Sequence, residues 1–415
     1  MKQLLTFLFC AVISSSIAQT EINVLCYNVL NFPQGEMQNR EDTLRKIFNY
    51  TQPDLILLQE LKSETGLNSI VEVSCADLDG EYFSSTWVSQ QSNQNSDWLL
   101  QQAIVYNNEV FGLAEERLKT TPVRDINIYK LFLRDEGLSQ GADTTFMYVF
   151  NTHLKSSSGS DNEQLRLEMA EVFVNALTEI DPASLCIFGG DFNLYGSDEP
   201  AYELLLSGTN SIVFQDPIDA PGSWTSSSYP FKEILTQSTR TSSIFGDGAG
   251  GGLDDRFDFI LASENVMDPS SVLHYQEDSY LSLGNNGTCY NQNILDCEED
   301  NPVPYDILRA MYYMSDHLPI VMKLETSVVL NTSNEPSFNP AIRMYSDGYQ
   351  LYLRAENSVV KYTVELIDIS GKLVHTALIS DNESLDLGQF PNGIYIARAL
   401  WNGQLEQVGK ISVRH

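Results

Sequence analysis

Positive charge is scarce in this chain: Lys and Arg number 24 against 56 Asp and Glu, a formal net charge of −32. That balance argues against a protein that clamps nucleic acid with a broadly basic surface. It does not exclude a nuclease, because bound cations supply positive charge locally, and most of the acidity reads as solvated surface. Histidine is rarer still, with 5 in 415 residues, and no Cys/His spacing suggests zinc. Long apolar runs are missing too, since no segment approaches the roughly 18 residues of a membrane span. What is present suits a globular protein: 42% hydrophobic residues and enough length for one large domain and a small one.

The first 18 residues read as a signal peptide, with Lys2, an apolar run from Leu4 to Ile13, and Ser16-Ile17-Ala18 as a small-residue cleavage site. Cys10 follows bulky Phe9 inside that run and reads as part of the signal, not as a lipid anchor. Of the remaining cysteines, Cys26 and Cys186 lie in apolar strand-like runs and are expected to be buried thiols. Cys289 and Cys297 bracket a polar loop, and export permits a disulfide there. Such a bridge is worth about 2.5 kcal/mol in the chain-entropy model. Cys75 stays unassigned.

The pivotal stretch is Ile187-Phe188-Gly189-Gly190-Asp191-Phe192-Asn193. An apolar strand ends in two glycines, and an acid and an amide follow one residue apart, on one side of an extended chain. Other apolar runs end the same way. Glu21 to Leu30 delivers Asn28, Asp54 to Leu58 closes on Gln59-Glu60, and Phe146 to Phe150 runs into Asn151-Thr152-His153. Gln102 to Tyr106 adds a further strand. Between these runs, Leu44, Ile47 and Phe48 are spaced for one helix face. A second helix follows an expected capping box at Asp161 to Gln164 and buries Met169, Phe173 and Leu177. Asp255 to Leu261 is expected as a strand carrying Asp258, and Ser315-Asp316-His317 precedes a final one. The Ser-, Thr- and Gly-rich stretch from Gly222 to Gly252 is a long loop, with Trp224 expected to pack beneath it.

Asn28, Glu60, His153, Asp191, Asn193, Asp258, Asp316 and His317 therefore lie at strand ends or in strands that alternate with helices. Carboxylates such as Glu60 and Asp316, with an amide oxygen from Asn28, are hard ligands suited to magnesium or manganese. Calcium is a further candidate. An imidazole beside them can act on a proton while a carboxylate such as Asp258 holds its ring. Asn193 can donate to a developing anionic oxygen. Attack of water on a phosphate ester needs such a set.

The motifs Asn28, Gln59-Glu60, Asn151 to His153, Gly189 to Asn193, Arg256 to Asp258 and Ser315 to His317 come in the order seen in the endonuclease/exonuclease/phosphatase superfamily, which residues 20 to 325 resemble. The resemblance implies a four-layered α/β sandwich, two packed mixed sheets flanked by helices, with the site at one edge. It implies Glu60, Asn28 and Asp316 at the metal, and His317, oriented by Asp258, as general base or phosphate-positioning group. It further implies Asp191 on the attacking water, Asn193 as transition-state donor, and His153 on the leaving group or the phosphate. The expected protein is a secreted monomeric phosphodiesterase with no membrane span, and DNA or RNA is its first candidate substrate. Lys62, two residues past Glu60, supports nucleic acid weakly. Alternatives are a sphingomyelinase-type lipid phosphodiesterase, with Tyr280 to Leu283 as bilayer contact, a phosphomonoesterase, or a non-catalytic surface adhesin.

Beyond a linker, residues 327–340, the segment 341–415 gives short alternating strands without a ligand cluster. Val364 to Lys372, Pro391 to Ala397 and Gly409 to Val413 resemble the C-terminal sorting domain of type IX secretion, which implies a small β-sandwich, export across an outer membrane and partnership with that machinery. The alternative is an ordinary adhesive or carbohydrate-binding sandwich. The expected division is 1–18 signal, 19–326 enzyme domain, 327–340 linker and 341–415 sorting domain.

Overall fold

A computed structural model describes residues 20–414 apart from 36, 97, 137, 139–142, 244–245, 298–300, 331–342, 347–348, 355–360, 369–371, 381–382 and 402–403. The signal-peptide reading of residues 1–18 and most of the linker reading fall outside the described residues. The chain divides into two compact units, residues 1–331 and 332–415.

In the first unit the strands are β1 (Thr20–Phe32), β2 (Leu55–Leu61), β3 (Tyr82–Ser84), β4 (Gln101–Asn107), β5 (Phe111–Lys119), β6 (Ile126–Leu133), β7 (Phe146–His153), β8 (Leu185–Asp191), β9 (Phe214–Gln215), β10 (Asp258–Ser263), β11 (Leu273–Tyr275), β12 (Leu281–Ser282) and β13 (Ile320–Thr326). The helices are α1 (Arg40–Thr51), α2 (Glu64–Ser69), α3 (Ser160–Leu177), α4 (Pro200–Leu205), α5 (Glu264–Met267) and α6 (Tyr305–Met314). One sheet is ordered β11-β13-β1-β2-β4-β3 with β12 paired on β13, and the other β5-β6-β7-β8-β10-β9. Each is mixed, with a parallel pair inside it: β1 with β2, and β7 with β8.

Strand alternation sorts the side chains into layers. Val24, Cys26, Leu57 and Ile104 of the first sheet meet Val149, Ile187 and Ile260 of the second in a dry seam. The opposite face of the first sheet (Leu25, Tyr27, Ile56, Leu58) is covered by Leu44, Ile47 and Phe48 of α1 and Leu308 and Met311 of α6. The outer face of the second (Phe150, Phe188, Phe259) is covered by Met169, Phe173 and Leu177 of α3 and by α4. Helix, sheet, sheet, helix: the unit is a four-layered α/β sandwich.

Two glycines make the centre possible. A Cβ on Gly189 would lie 2.7 Å from Leu57 Cδ2 across the seam, and one on Gly190 (φ 150°) would lie 1.9 Å from the Thr152 carbonyl oxygen. The expected capping box does not form. α3 starts earlier, at Ser160 behind Gly159, whose carbonyl accepts from the Asn162 and Glu163 N–H groups at 3.0 Å each. Strand β10 likewise starts at Asp258, because Asp255 is tied instead to Thr236 and Gln237.

The second unit contains β14 (Arg343–Ser346), β15 (Gln350–Arg354), β16 (Lys361–Asp368), β17 (Leu373–Ser380), β18 (Ser384–Asp386), β19 (Gly393–Trp401) and β20 (Gln404–Val413). Sheets β14-β15-β18 and β17-β16-β19-β20 share one core, with Leu351 and Leu353 from the first and Val364, Leu366, Ala397 and Ala399 from the second. It is a small all-β sandwich.

Candidate active site

Irregularities in the first sheet aim its functional side chains. β1 and β2 pair regularly as far as Asn28 opposite Gln59, then slip before Phe32 opposite Leu61, and β2 slips against β4 between Leu58 and Leu61. At the slips the backbone turns left-handed at Leu30, Asn31 and Glu60, with φ of 44°, 51° and 63°. Side chains other than glycine rarely adopt that conformation, at a cost on the order of 1–3 kcal/mol each. Here it turns Glu60 out of the strand's alternation toward the sheet edge. The second sheet needs no such device. Register alone sets His153 of β7 beside Asp191 of β8, and Asp191 beside Asp258 of β10.

Asp191 Oδ2 is the hub. It lies 3.0 Å from Asn28 Nδ2, 3.3 Å from His153 Nε2 and 3.6 Å from His317 Nε2. His317 Nδ1 donates to Asp258 Oδ2 at 2.7 Å, and Asn28 Nδ2 also donates to Glu60 Oε1 at 3.1 Å. The Asn193 N–H donates to Asp191 Oδ1 at 3.1 Å. Glu60, His153, Asp191, Asn193, Asp316 and His317 line a cleft of about 380 Å³, and Asn28 and Asp258 lie buried behind them. All eight residues singled out in the sequence therefore converge.

Their arrangement differs from expectation in two respects. Asn28 Oδ1 accepts from the Leu30 N–H at 3.0 Å, so the amide presents nitrogen to the carboxylates and ties them together instead of offering oxygen to a cation. Asp316 Oδ2 accepts from Gln237 Nε2 at 3.1 Å and from the Ala249 N–H at 2.6 Å. Among the described residues, the ligand atoms within 4.8 Å of one another belong to Glu60, His153 and Asp191, and to Asp191, Asp258 and His317. Asp316 is in neither group. The donor set fits a divalent cation: His153 Nδ1 is buried without a partner, 3.9 Å from Glu60 Oε1.

Electrostatics point the same way. Burial raises the Asp191 pKa well above the usual carboxylate range, with Asp258 and Glu60 adding to the shift and His317 opposing it. Glu60 is raised by burial and then by Asp316. Burial, Arg124 and His317 hold His153 far below its ordinary value. For His317 burial works downward, but Asp258, Asp191 and Asp316 outweigh it and raise its pKa well above the ordinary histidine value.

Three cleft residues carried no readable motif. Arg124 Nη1 donates to the Leu154 carbonyl at 2.9 Å, and its charge bears on Glu60 and Asp191. Gln237 Nε2 lies 2.6 Å from His317 Nε2. Asp247 accepts from Asn31 Nδ2 at 2.9 Å. The one available signal was Asp247 as the sole charge in the run Gly246 to Gly252.

Those last two come from the long loop. Trp224 packs beneath it, fully buried, with Nε1 donating to the Ala220 carbonyl at 2.8 Å. Residues 238–243 and 246–252 then pair back on one another as a strap, through Ser238 N–H to Gly252 O and Gly252 N–H to Arg240 O, each 2.9 Å. A Cβ on Gly248 (φ 79°) would meet Asp316 Cγ at 2.9 Å, so the strap lies directly on that carboxylate. A loop closed by a Cys289–Cys297 disulfide grips both legs: Ile294 N–H to Thr239 O (3.1 Å), Thr241 N–H to Asn293 Oδ1 (2.9 Å) and Asn291 N–H to Leu253 O (3.0 Å). Cys26, Cys75 and Cys186 are buried free thiols. Leu281–Ser282 is a strand on β13 with Leu281 exposed and Leu283 buried, so Tyr280 to Leu283 offers no continuous apolar face to a bilayer. A separate hollow of about 410 Å³ beside α1 and α6 holds none of these eight residues.

Residues 348–414 match the family described as "Secretion system C-terminal sorting domain". That tail marks the chain for export, to the cell surface or the medium, and among the described residues no helix is long and apolar enough to cross a membrane. No curated protein sequence matches the chain. Among solved structures it is similar to the catalytic domain of human Nocturnin with bound sulfate, at 16% identity over 74% of this chain and 97% of that one, with a TM-score of 0.44. It is similar to D. rerio TDP2 complexed with single-strand DNA product, at 15% identity over 74% and 100% of the two chains, TM-score 0.47. An endonuclease/exonuclease/phosphatase family protein from Bacteroides thetaiotaomicron aligns at 15% identity over 75% and 97%, TM-score 0.46.

Proposed function

We propose that the first unit is a metal-dependent phosphodiesterase acting on DNA or RNA, and that the second unit sends it out through type IX secretion. The observation that carries the enzyme reading is Asp191 Oδ2, set between two imidazoles and within ligand reach of Glu60. Glu60, His153 and Asp191 would hold the cation, magnesium or manganese by their chemistry, with Asp316 adding negative charge from the strap side. When bound, the ion supplies Lewis-acid polarisation of a phosphoryl oxygen and a more acidic water. Asp191 would align the attacking water and accept its proton, which the upward shift of its pKa favours. His317, held protonated and oriented by Asp258, is suited to neutralise charge growing on the phosphate rather than to act as the base. The Asn193 amide, whose bond to the Leu154 carbonyl is a long 3.4 Å, can turn its donor to the same oxygens.

The test uses purified full-length protein with magnesium, offered DNA, RNA, sphingomyelin vesicles and bis(p-nitrophenyl) phosphate, with and without chelator. His317→Ala should lose about 10²- to 10³-fold in kcat, and Glu60→Gln should lose its response to added metal. Full turnover by either variant, or by the chelated enzyme, contradicts the assignment.

A further inference from the structure

We propose that Trp98 and Lys62 form a stacking platform at the mouth of the cleft that selects single-stranded nucleic acid. The proposal rests on the phosphodiesterase reading and names the feature that chooses among esters. Trp98 is 66% exposed, whereas Trp224 is fully buried. A scattered exposed apolar side chain needs no explanation, but this one lines the same cleft as Glu60, Asp191 and His317. Its backbone N–H donates to Ser96 Oγ at 3.1 Å. Lys62 Nζ stands 4.9 Å from the indole centroid. The Lys62 backbone N–H is pinned to the Phe32 carbonyl at 2.8 Å, just after Glu60 leaves the sheet. The platform is thus built onto the strand end that supplies the acid cluster.

In a chain of net charge −32, cations gathered at a cleft mark where a polyanion runs: Arg124 lines this one, and Lys62 stands over the indole that lines it. Half-buried Tyr195 also lines the cleft, held edge-on against buried Phe257 with centroids 5.0 Å apart. Aromatic faces interleaved with cations bind single strands, because an unpaired base offers a π face for stacking and its phosphate a charge. A duplex hides its base faces. An exposed indole also suits a lipid interface, but lysine over the ring and carboxylates behind it make a poor apolar anchor.

The experiment compares wild type, Trp98→Ala and Trp98→Phe, as full chains with magnesium. The substrates are a labelled single-stranded oligonucleotide, the same sequence as duplex, sphingomyelin vesicles and bis(p-nitrophenyl) phosphate. The ratio of kcat/KM on the single strand to that on the small ester should fall about 10- to 100-fold in Trp98→Ala. The loss should lie mainly in KM, and Trp98→Phe should restore most of it. An unchanged ratio, or a loss seen only with vesicles or only with duplex, overturns the platform. If wild type cleaves no ester, the phosphodiesterase reading fails by itself. Anisotropy of the labelled strand with chelator present then judges the platform alone: tight binding weakened in Trp98→Ala supports it, and binding indifferent to Trp98 ends it.

Discussion

Asp255 shows how burial and like charge act on one side chain. Burial, then neighbouring Asp254, push its pKa up to about 7, against an opposing pull from His317, whereas an unfolded aspartate titrates near 3.9. With the folded value the higher one, its contribution to stability is fully present below about pH 4 and is lost as the pH climbs through about 7. Asp255→Asn should therefore raise the urea midpoint at pH 8 and leave it nearly unchanged at pH 4. Equal effects at both values would refute the account. The residues legible in the sequence were the ones whose chemistry is conspicuous where it stands: Glu60, Asp191 and His317 are polar groups at the ends of apolar strands. The orientation of Asn28 was not legible, because the Leu30 N–H that settles it is placed by a left-handed turn. Nor was Gln237, an amide among serines and threonines whose partners stand about eighty positions away.

At the scale of elements, the Gly189-Gly190 pair belongs at once to fold and site. Gly190→Ala would place a methyl 1.9 Å from the Thr152 carbonyl, on a backbone with φ of 150°. We expect a loss of at least about 3 kcal/mol in urea unfolding, and a near-wild-type midpoint would contradict this. Gly248→Ala is the contrasting case. It presses on Asp316 and Leu30 from a half-buried strap at φ 79°, so activity should drop steeply while unfolding stability falls by a smaller amount, about 1–2 kcal/mol. Strands and helices with a clear apolar period were readable, as Leu44, Ile47 and Phe48 of α1 illustrate. The strap was not, because its order comes from bonds to residues 291–294, some fifty positions on, with no periodicity to announce them.

At the scale of the whole molecule, the two units answer different demands. The four-layered architecture was legible only through the resemblance that the motif order carries, because strand patterns alone do not say how two sheets stack. The sorting tail was visible through the resemblance carried by Val364 to Lys372, Pro391 to Ala397 and Gly409 to Val413. Deleting residues 341–415 should leave the protein inside the cell, as fractionation with immunoblotting would show, and normal export of the truncated chain would refute the sorting role.

The Cys289–Cys297 loop joins these scales, because it grips the strap that lies on Asp316 and carries Asp247. Two thiols kept apart by cytoplasmic reductants would leave that wall slack. The sorting tail sends the chain to where such a pair oxidises. Export would then act as a safety catch: the producing cell handles a catalyst still unarmed, and the blade locks only after it has left home.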